Sequence, residues 1–271
     1  MDITECKQMI KTAFDAVADT YDHPSLAFFP DTAERLLSFL DMDKHSSLLD
    51  VCTGTGMVAL KAAAQLSEGS VAGIDLSPGM LKRAGEKARQ LGLTNAEFLN
   101  MDLDQLQFDD RDFDLATCSF GLFFIDDMEA AMKNITAVVK PGGRIAISSF
   151  TGAAFEPFSQ MFLECYESFG KQVPPLSWKR LDNEDNIRAV FSAAGISQLK
   201  FYFEPLSYPM KNEQHWWDVV WNAGYRGLLN QLTGEQQEEF KNKHLADVAD
   251  YCNNNNACLN TDVVIAIGIR T

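Results

Sequence analysis

The chain is expected to fold as an α/β protein, with one sheet of about seven strands interrupted by two inserted helical regions. Three observations predict this. From residue 46, short apolar runs alternate with helical patterns, the signature of parallel βαβ units. The first run ends in a glycine turn, Asp50-Val51-Cys52-Thr53-Gly54-Thr55-Gly56, which opens a helix at Met57-Val58-Ala59-Leu60. After residue 150 the alternation loosens, and aromatic-rich helical stretches separate the remaining strands. The composition, 46% hydrophobic and 23% charged over 271 residues, is that of an ordinary globular chain.

In order, residues 4–22 place Ile10, Ala13, Phe14, Val17, Ala18 and Tyr21 on one helical stripe, ended by His23-Pro24. Residues 31–41 read as a second helix, with Asp31 and Glu34 as a capping-box-like start. Strands follow at 48–52, 70–75, 96–100, 113–118 and 144–150. Between them lie helices at 57–66, from Ser77-Pro78 onward, and at 127–140, the last stopped by Lys140-Pro141-Gly142-Gly143. Beyond them come a helix at 155–169, a loop at 171–181 around Pro174-Pro175, a helix at 187–194 and a strand at 198–203. A helix at 213–232 is apolar nearly all round in its first half, as a buried helix is. Thr233 and Gln236 cap a helix at 234–251, and 262–269 is a last, nearly continuous apolar strand. We read one domain, 1–271, with a core of 45–150, 185–204 and 258–271. Lid elements at 1–41, 151–182 and 205–257 lie over the carboxyl ends of the strands.

The charge balance is 38 acids against 23 bases, net -15, which disfavours nucleic-acid phosphates as partners. The six cysteines, Cys6, Cys52, Cys118, Cys165, Cys252 and Cys258, form no C-x-x-C pair. With no basic-then-apolar start for secretion, they suggest reduced thiols and a cytoplasmic setting. No run of about 18 apolar residues is present, so no membrane span is expected. The four histidines show no metal spacing, and no metal is expected.

Acids recur at the strand ends. Asp50 precedes the glycine turn. Asp75 ends the second strand, 19 residues after Gly56, where a carboxylate can accept from two ribose hydroxyls. Asp102, in an acidic run with Asp104, Asp109, Asp110 and Asp112, is placed to accept from a purine amine, with Met101 near the base. Ser119 and Phe120 would close the near side. A ribose acid fits a nicotinamide dinucleotide or S-adenosylmethionine. Gly54-x-Gly56 runs into Met57-Val58-Ala59 with no third glycine, so the pyrophosphate seat of G-x-G-x-x-G is missing. An acid at Asp50 instead suits an ammonium group, which favours S-adenosylmethionine.

The stretches Asp50–Gly56, Gly73–Met80, Met101-Asp102, Phe113–Leu115 and Lys140–Gly143 resemble, in order and spacing over about 45–150, the motif series of class I S-adenosylmethionine-dependent methyltransferases. Phe14–Asp22 resembles the N-terminal segment of their ubiquinone/menaquinone C-methyltransferase-like branch, where it folds over the cofactor. The resemblance implies a Rossmann-like, seven-stranded, mostly parallel sheet with its last strand antiparallel and helices on both faces. It implies cofactor contacts from Tyr21, Asp50, Thr53, Gly54, Thr55, Gly56, Asp75, Leu76, Met80, Met101, Asp102, Leu103, Ser119 and Phe120. Cys52 stands where that family usually has Gly or Ala.

Methyl transfer to a small, apolar or aromatic metabolite is the function these features favour. The alternatives are a cofactor-binding module without transfer and, behind it, an NAD-dependent oxidoreductase. The Asn/Asp-Pro-Pro-Tyr/Phe signature of amino-group methyltransferases is replaced by Ser119-Phe120-Gly121-Leu122. Phe124, Trp178, Trp216, Trp217 and Trp221 are candidates for an acceptor pocket, although helix-core packing also explains the last three. No pair of residues announces a catalytic base. His23 and His215 are the candidates to watch because both lie in lid segments.

Overall fold

The computed structural model describes residues 3–108 and 112–271; Asp109 and Asp110 of the acidic run lie outside them. Seven strands form the main sheet: β1 Ser47–Val51, β2 Ser70–Asp75, β3 Ala96–Asn100, β4 Phe113–Ser119, β5 Val139–Phe150, β6 Ile196–Glu204 and β9 Val263–Arg270. Their order is β3-β2-β1-β4-β5-β9-β6. β9 runs antiparallel to both neighbours, as the resemblance implied, and the other pairings are parallel. The short β7 Ser207–Pro209 and β8 Cys258–Asn260 pair separately.

The helices on the sheet are α2 Phe28–Phe39, α3 Met57–Gln65, α4 Pro78–Gln90, α5 Met128–Ala137 and α7 Glu184–Ala193. Ser77 caps α4 through the Met80 N–H, with Pro78 at the first helical position, as its sequence implied. On one side Leu36, Leu40, Val58, Ala62 and Leu66 pack onto Leu48, Val71 and Ile265, all nearly or fully buried. The other layer is continuous with the helices of the second half of the chain. There α6 Phe158–Ser168, α8 Glu213–Asn222, α9 Arg226–Leu229 and α10 Gly234–Asn254 share the core around Trp216, Phe162 and Phe240. The first helix, α1 Ile3–Val17, lies against α4 through Val17, Ala18 and Met80.

Several boundaries differ from the sequence reading, for physical reasons. α2 begins at Phe28, so Asp31 caps nothing; its carboxylate accepts from the Tyr208 hydroxyl at 2.6 Å. β5 begins at Val139, through Lys140–Gly143, because the ladder with β4 slips between Phe113 and Leu115 and Gly142 adopts φ +78. The single helix expected at 213–232 breaks into α8 and α9 at Ala223-Gly224. A 3-10 turn, Ser177–Leu181, stands within the expected loop at 171–181. Among the described residues, no helix is long and apolar enough to cross a membrane, and no cluster of His, Cys, Asp or Glu could hold a metal ion.

Candidate active site

Two adjoining cavities, of about 140 and 160 Å³, open above the carboxyl ends of β1, β2, β4 and β5. They share one wall of five rings: Phe14, Tyr21, Phe29, Phe120 and Phe124.

The first cavity is built on the glycine turn. Gly54 and Gly56 have φ +55 and +81, a region closed to most side chains, and a Cβ at Gly54 would point into open space. Asp50, 1% exposed, accepts from the Thr53 and Thr117 hydroxyls at 2.6 and 2.7 Å. Burial lifts its carboxyl to about 6, against those two hydrogen bonds, which lower it. Asp75 accepts from the Gly54 and Ser77 N–H groups, both at 2.9 Å. Burial again raises its carboxyl above the ordinary value. Each Asp75 oxygen takes one backbone donor, and its remaining lone pairs can accept from a ligand hydroxyl.

Of the sequence candidates, Tyr21, Asp50, Thr53, Gly54, Thr55, Asp75, Leu76, Met80, Ser119 and Phe120 line this cavity. Gly56 does not; it shapes the turn, packed where a Cβ would meet Ala84 at 3.1 Å. Met101, Asp102 and Leu103 are also off the wall. Lys7, reaching down from α1, pairs with Asp102 at 2.6 Å and with Asp104 at 2.5 Å, and itself lines the cavity in their place. The other Asp102 oxygen caps a 3-10 turn through the Asp104 N–H, and Leu103 is buried beneath it. Cys6, Lys7 and Ile10 also line this cavity; Ile10 belongs to the apolar stripe of α1, whereas no local motif marks Cys6 or Lys7. Cys52 adopts φ +54, and a Cβ on Gly121 would come 2.4 Å from its Cβ. The cysteine is therefore accommodated because its neighbour across the strand ends is glycine.

Two further ties hold the N-terminal segment over this cavity. Asp15 accepts from the Gly79 N–H at 3.0 Å and from the Ser77 hydroxyl. Asp22 accepts from Thr55 at 2.7 Å and from Lys87 at 2.9 Å. Burial, with the nearby charges of Asp75 and Asp22, pushes the Tyr21 phenol up, so it stays protonated.

The second cavity is aromatic. Phe28, Phe123, Phe150, Phe155, Trp178 and Tyr225 add to the shared wall, with Pro174, Pro175, Val219 and Ala223 closing it. Phe120 stacks on Phe150 at 4.3 Å, and Phe14 meets Phe124 edge-on at 5.3 Å. The Tyr225 hydroxyl donates to Ser159 at 2.9 Å.

Of the acceptor-pocket candidates, Phe124 and Trp178 line the second cavity, whereas Trp216, Trp217 and Trp221 line neither cavity. Trp216 is fully buried and donates to His244 Nε2 at 2.8 Å, with burial holding that histidine down at about 4. Trp217 stacks on Trp221, which faces outward beneath Arg226. Their helix offers Val219 and the break at Ala223-Gly224 to the cavity instead. His23 and His215 also line neither cavity. His23 Nδ1 accepts from the Ser25 N–H, and burial lowers His215, whose Nδ1 has no hydrogen-bond partner among the described residues.

The donor set fits S-adenosylmethionine. The buried Asp50 carboxylate and the half-buried Asp75 carboxylate would suit an ammonium and two ribose hydroxyls, and the wall of ring faces would suit a sulfonium beside it. Residues 2–189 match the model of the ubiE/COQ5 methyltransferase family. The chain is 33% identical over 144 residues to the aklanonic acid methyltransferase DauC of Streptomyces sp. (strain C5), covering 53% of this chain and 66% of that one. It is 27% identical over 220 residues to the ubiquinone/menaquinone biosynthesis C-methyltransferase UbiE of Cronobacter sakazakii (strain ATCC BAA-894), covering 72% and 85%. In fold it is similar to the YcgJ protein of Bacillus subtilis, with TM-score 0.61 at 18% identity, covering 89% and 98%.

Proposed function

The chain belongs to the ubiE/COQ5 methyltransferase family, and from that premise we propose that it methylates a small, apolar or aromatic metabolite held in the aromatic cavity. Its cofactor is S-adenosylmethionine, and neither a binding module without transfer nor an NAD-dependent oxidoreductase is retained. The observation that carries the acceptor assignment is the wall of five rings shared by the two cavities. An acceptor resting against it stands next to whatever occupies the cavity of Asp50 and Asp75. The two relatives act, by their names, on aklanonic acid and in quinone biosynthesis, and ring-shaped acceptors suit a pocket of this composition.

When bound, S-adenosylmethionine supplies a methyl group already activated by its sulfonium, so the protein's task is alignment. In this reading Asp75 accepts from the ribose hydroxyls, Asp50 holds the ammonium end, and Gly54 lets the ligand rest on the main chain. Met80 and Leu76 pack beside the nucleoside. Phe120 and Phe124 exclude water and face the acceptor nucleophile toward the methyl group. Phe124 and Trp178 bind substrate, whereas Trp216, Trp217 and Trp221 hold the lid core. The partner is a small molecule and not a nucleic acid, and the setting is cytoplasmic, supported by the acidic charge and six free cysteines.

The test is methyl transfer from radiolabelled S-adenosylmethionine to a panel of polycyclic phenols, hydroquinones and aromatic carboxylates. A second panel holds charged amines such as phosphoethanolamine. Turnover confined to the first panel is expected, with release of S-adenosylhomocysteine. Turnover confined to the amines would overturn the acceptor assignment.

A further inference from the structure

We propose that Arg180 is a positioning residue that fixes the wall between the two cavities. It lies in the 3-10 turn Ser177–Leu181, two residues after Trp178, and lines neither cavity itself. Its guanidinium crosses to the segment between β4 and α5. Nη1 donates to the carbonyls of Phe123 at 3.1 Å and Ile125 at 2.6 Å, and Nη2 donates to the carbonyl of Asp126 at 2.7 Å. The amides of Phe124 and Ile125 are spent within the segment, on the carbonyls of Gly121 and Leu122. Three outward carbonyls are thus gathered by one side chain from the opposite wall.

The segment so held is the one that matters for alignment. Phe124 lines both cavities, Phe123 the acceptor cavity, and Ile125 and Asp126 the cofactor cavity. On its own side Arg180 follows Trp178, which packs edge-on against Phe150 at 6.2 Å. The guanidinium therefore ties the far wall of the acceptor cavity to the shared wall and sets the gap an acceptor must fill. A rigid, planar fork of donors can serve three carbonyls at once; an ammonium, with its donors at one point, cannot reproduce that spread. Loss of the fork frees Phe124 to move, and a small misplacement of an aligning wall is costly in rate.

This inference rests on the acceptor assignment made above, and the experiment separates the two. Arg180→Ala and Arg180→Lys are compared with the parent by backbone hydrogen exchange, by S-adenosylhomocysteine calorimetry and by methyl-transfer kinetics on whichever panel the parent accepts. Expected for Arg180→Ala is faster exchange over residues 121–127, unchanged exchange over 47–56, and a loss of cofactor affinity smaller than the loss on the acceptor side. Acceptor KM rises about tenfold and kcat falls. Arg180→Lys recovers less than half of the loss, and millimolar guanidinium partly rescues Arg180→Ala. Unaltered exchange over 121–127 overturns the clamp whichever acceptor is used. Faster exchange with unaltered acceptor kinetics overturns its role in alignment, as does an equal loss of cofactor and acceptor binding. Parent turnover of amines alone sinks the acceptor assignment, and the Arg180 result then stands or falls on the amine.

Discussion

The two cavities sit side by side and are made in opposite ways. The cofactor cavity is built from strand ends, with short acids and backbone groups whose positions follow from the β1, β2 and β4 ladders. The cavity proposed for the acceptor is built from ring faces contributed by segments scattered from residue 14 to residue 228. In the proposed function one would select its ligand by charge and hydrogen bonding, the other by shape and apolar area. Substitutions on the two sides should therefore be felt in different measurements.

The largest effect belongs to Asp50. Its carboxyl is raised to about 6 from 3.8, so folding favours the protonated form. That contribution is fully present below about pH 4 and is lost as pH rises through 6, roughly 3 kcal/mol in the cofactor-free protein. Denaturant midpoints followed from pH 4 to pH 8 should fall, and the fall should flatten in Asp50→Asn; identical slopes in the two proteins would refute the assignment. In the proposed role the ammonium end of the cofactor needs the ionised Asp50, so S-adenosylhomocysteine should bind about tenfold more weakly at pH 5 than at pH 7.

Next comes Asp75→Ala. Loss of a half-buried acceptor for two hydroxyls should weaken S-adenosylhomocysteine binding more than tenfold, on the order of 1.5–3 kcal/mol, with acceptor selectivity unchanged. Unchanged affinity by calorimetry means the ribose sits elsewhere. Across the shared wall, Trp178→Leu should raise acceptor KM about tenfold and leave cofactor affinity within twofold, because its ring is only an apolar surface there. A matching loss in cofactor binding would erase the distinction between the cavities. The smallest effect is expected at Trp221→Ala, outside both cavities. Removing the ring beneath Arg226 should cost about 0.5–1 kcal/mol of stability and leave both ligands' constants within twofold. A large kinetic defect would put α8 back into the acceptor site.

The same division explains what could be read in advance. Strand, glycine turn and acid recur at fixed spacing, so the sheet, Asp50, Gly54 and Asp75 were legible from a local pattern. The pairing of Asp102 with Lys7 was not legible, because Lys7 is 95 residues away in sequence and no spacing links them. Trp216 and Trp217 mark a helix as buried but not what buries them; the partners are Phe158, Phe240 and His244 in other helices. The break at Ala223-Gly224, which brings Tyr225 to the cavity, has one weak local sign, a glycine inside a helical pattern.

The five shared rings bear on how such an enzyme can change its substrate over evolutionary time. A substitution at Phe14, Tyr21, Phe29, Phe120 or Phe124 is felt by both ligands, so selection on a new acceptor there is opposed by the need to keep the old cofactor. Pro174–Trp178, together with Val219, Ala223, Gly224, Tyr225 and Leu228, line only the cavity proposed for the acceptor and carry no such conflict. Descendants of this chain with new acceptors should differ first in those two stretches, while the shared rings drift slowly and in concert.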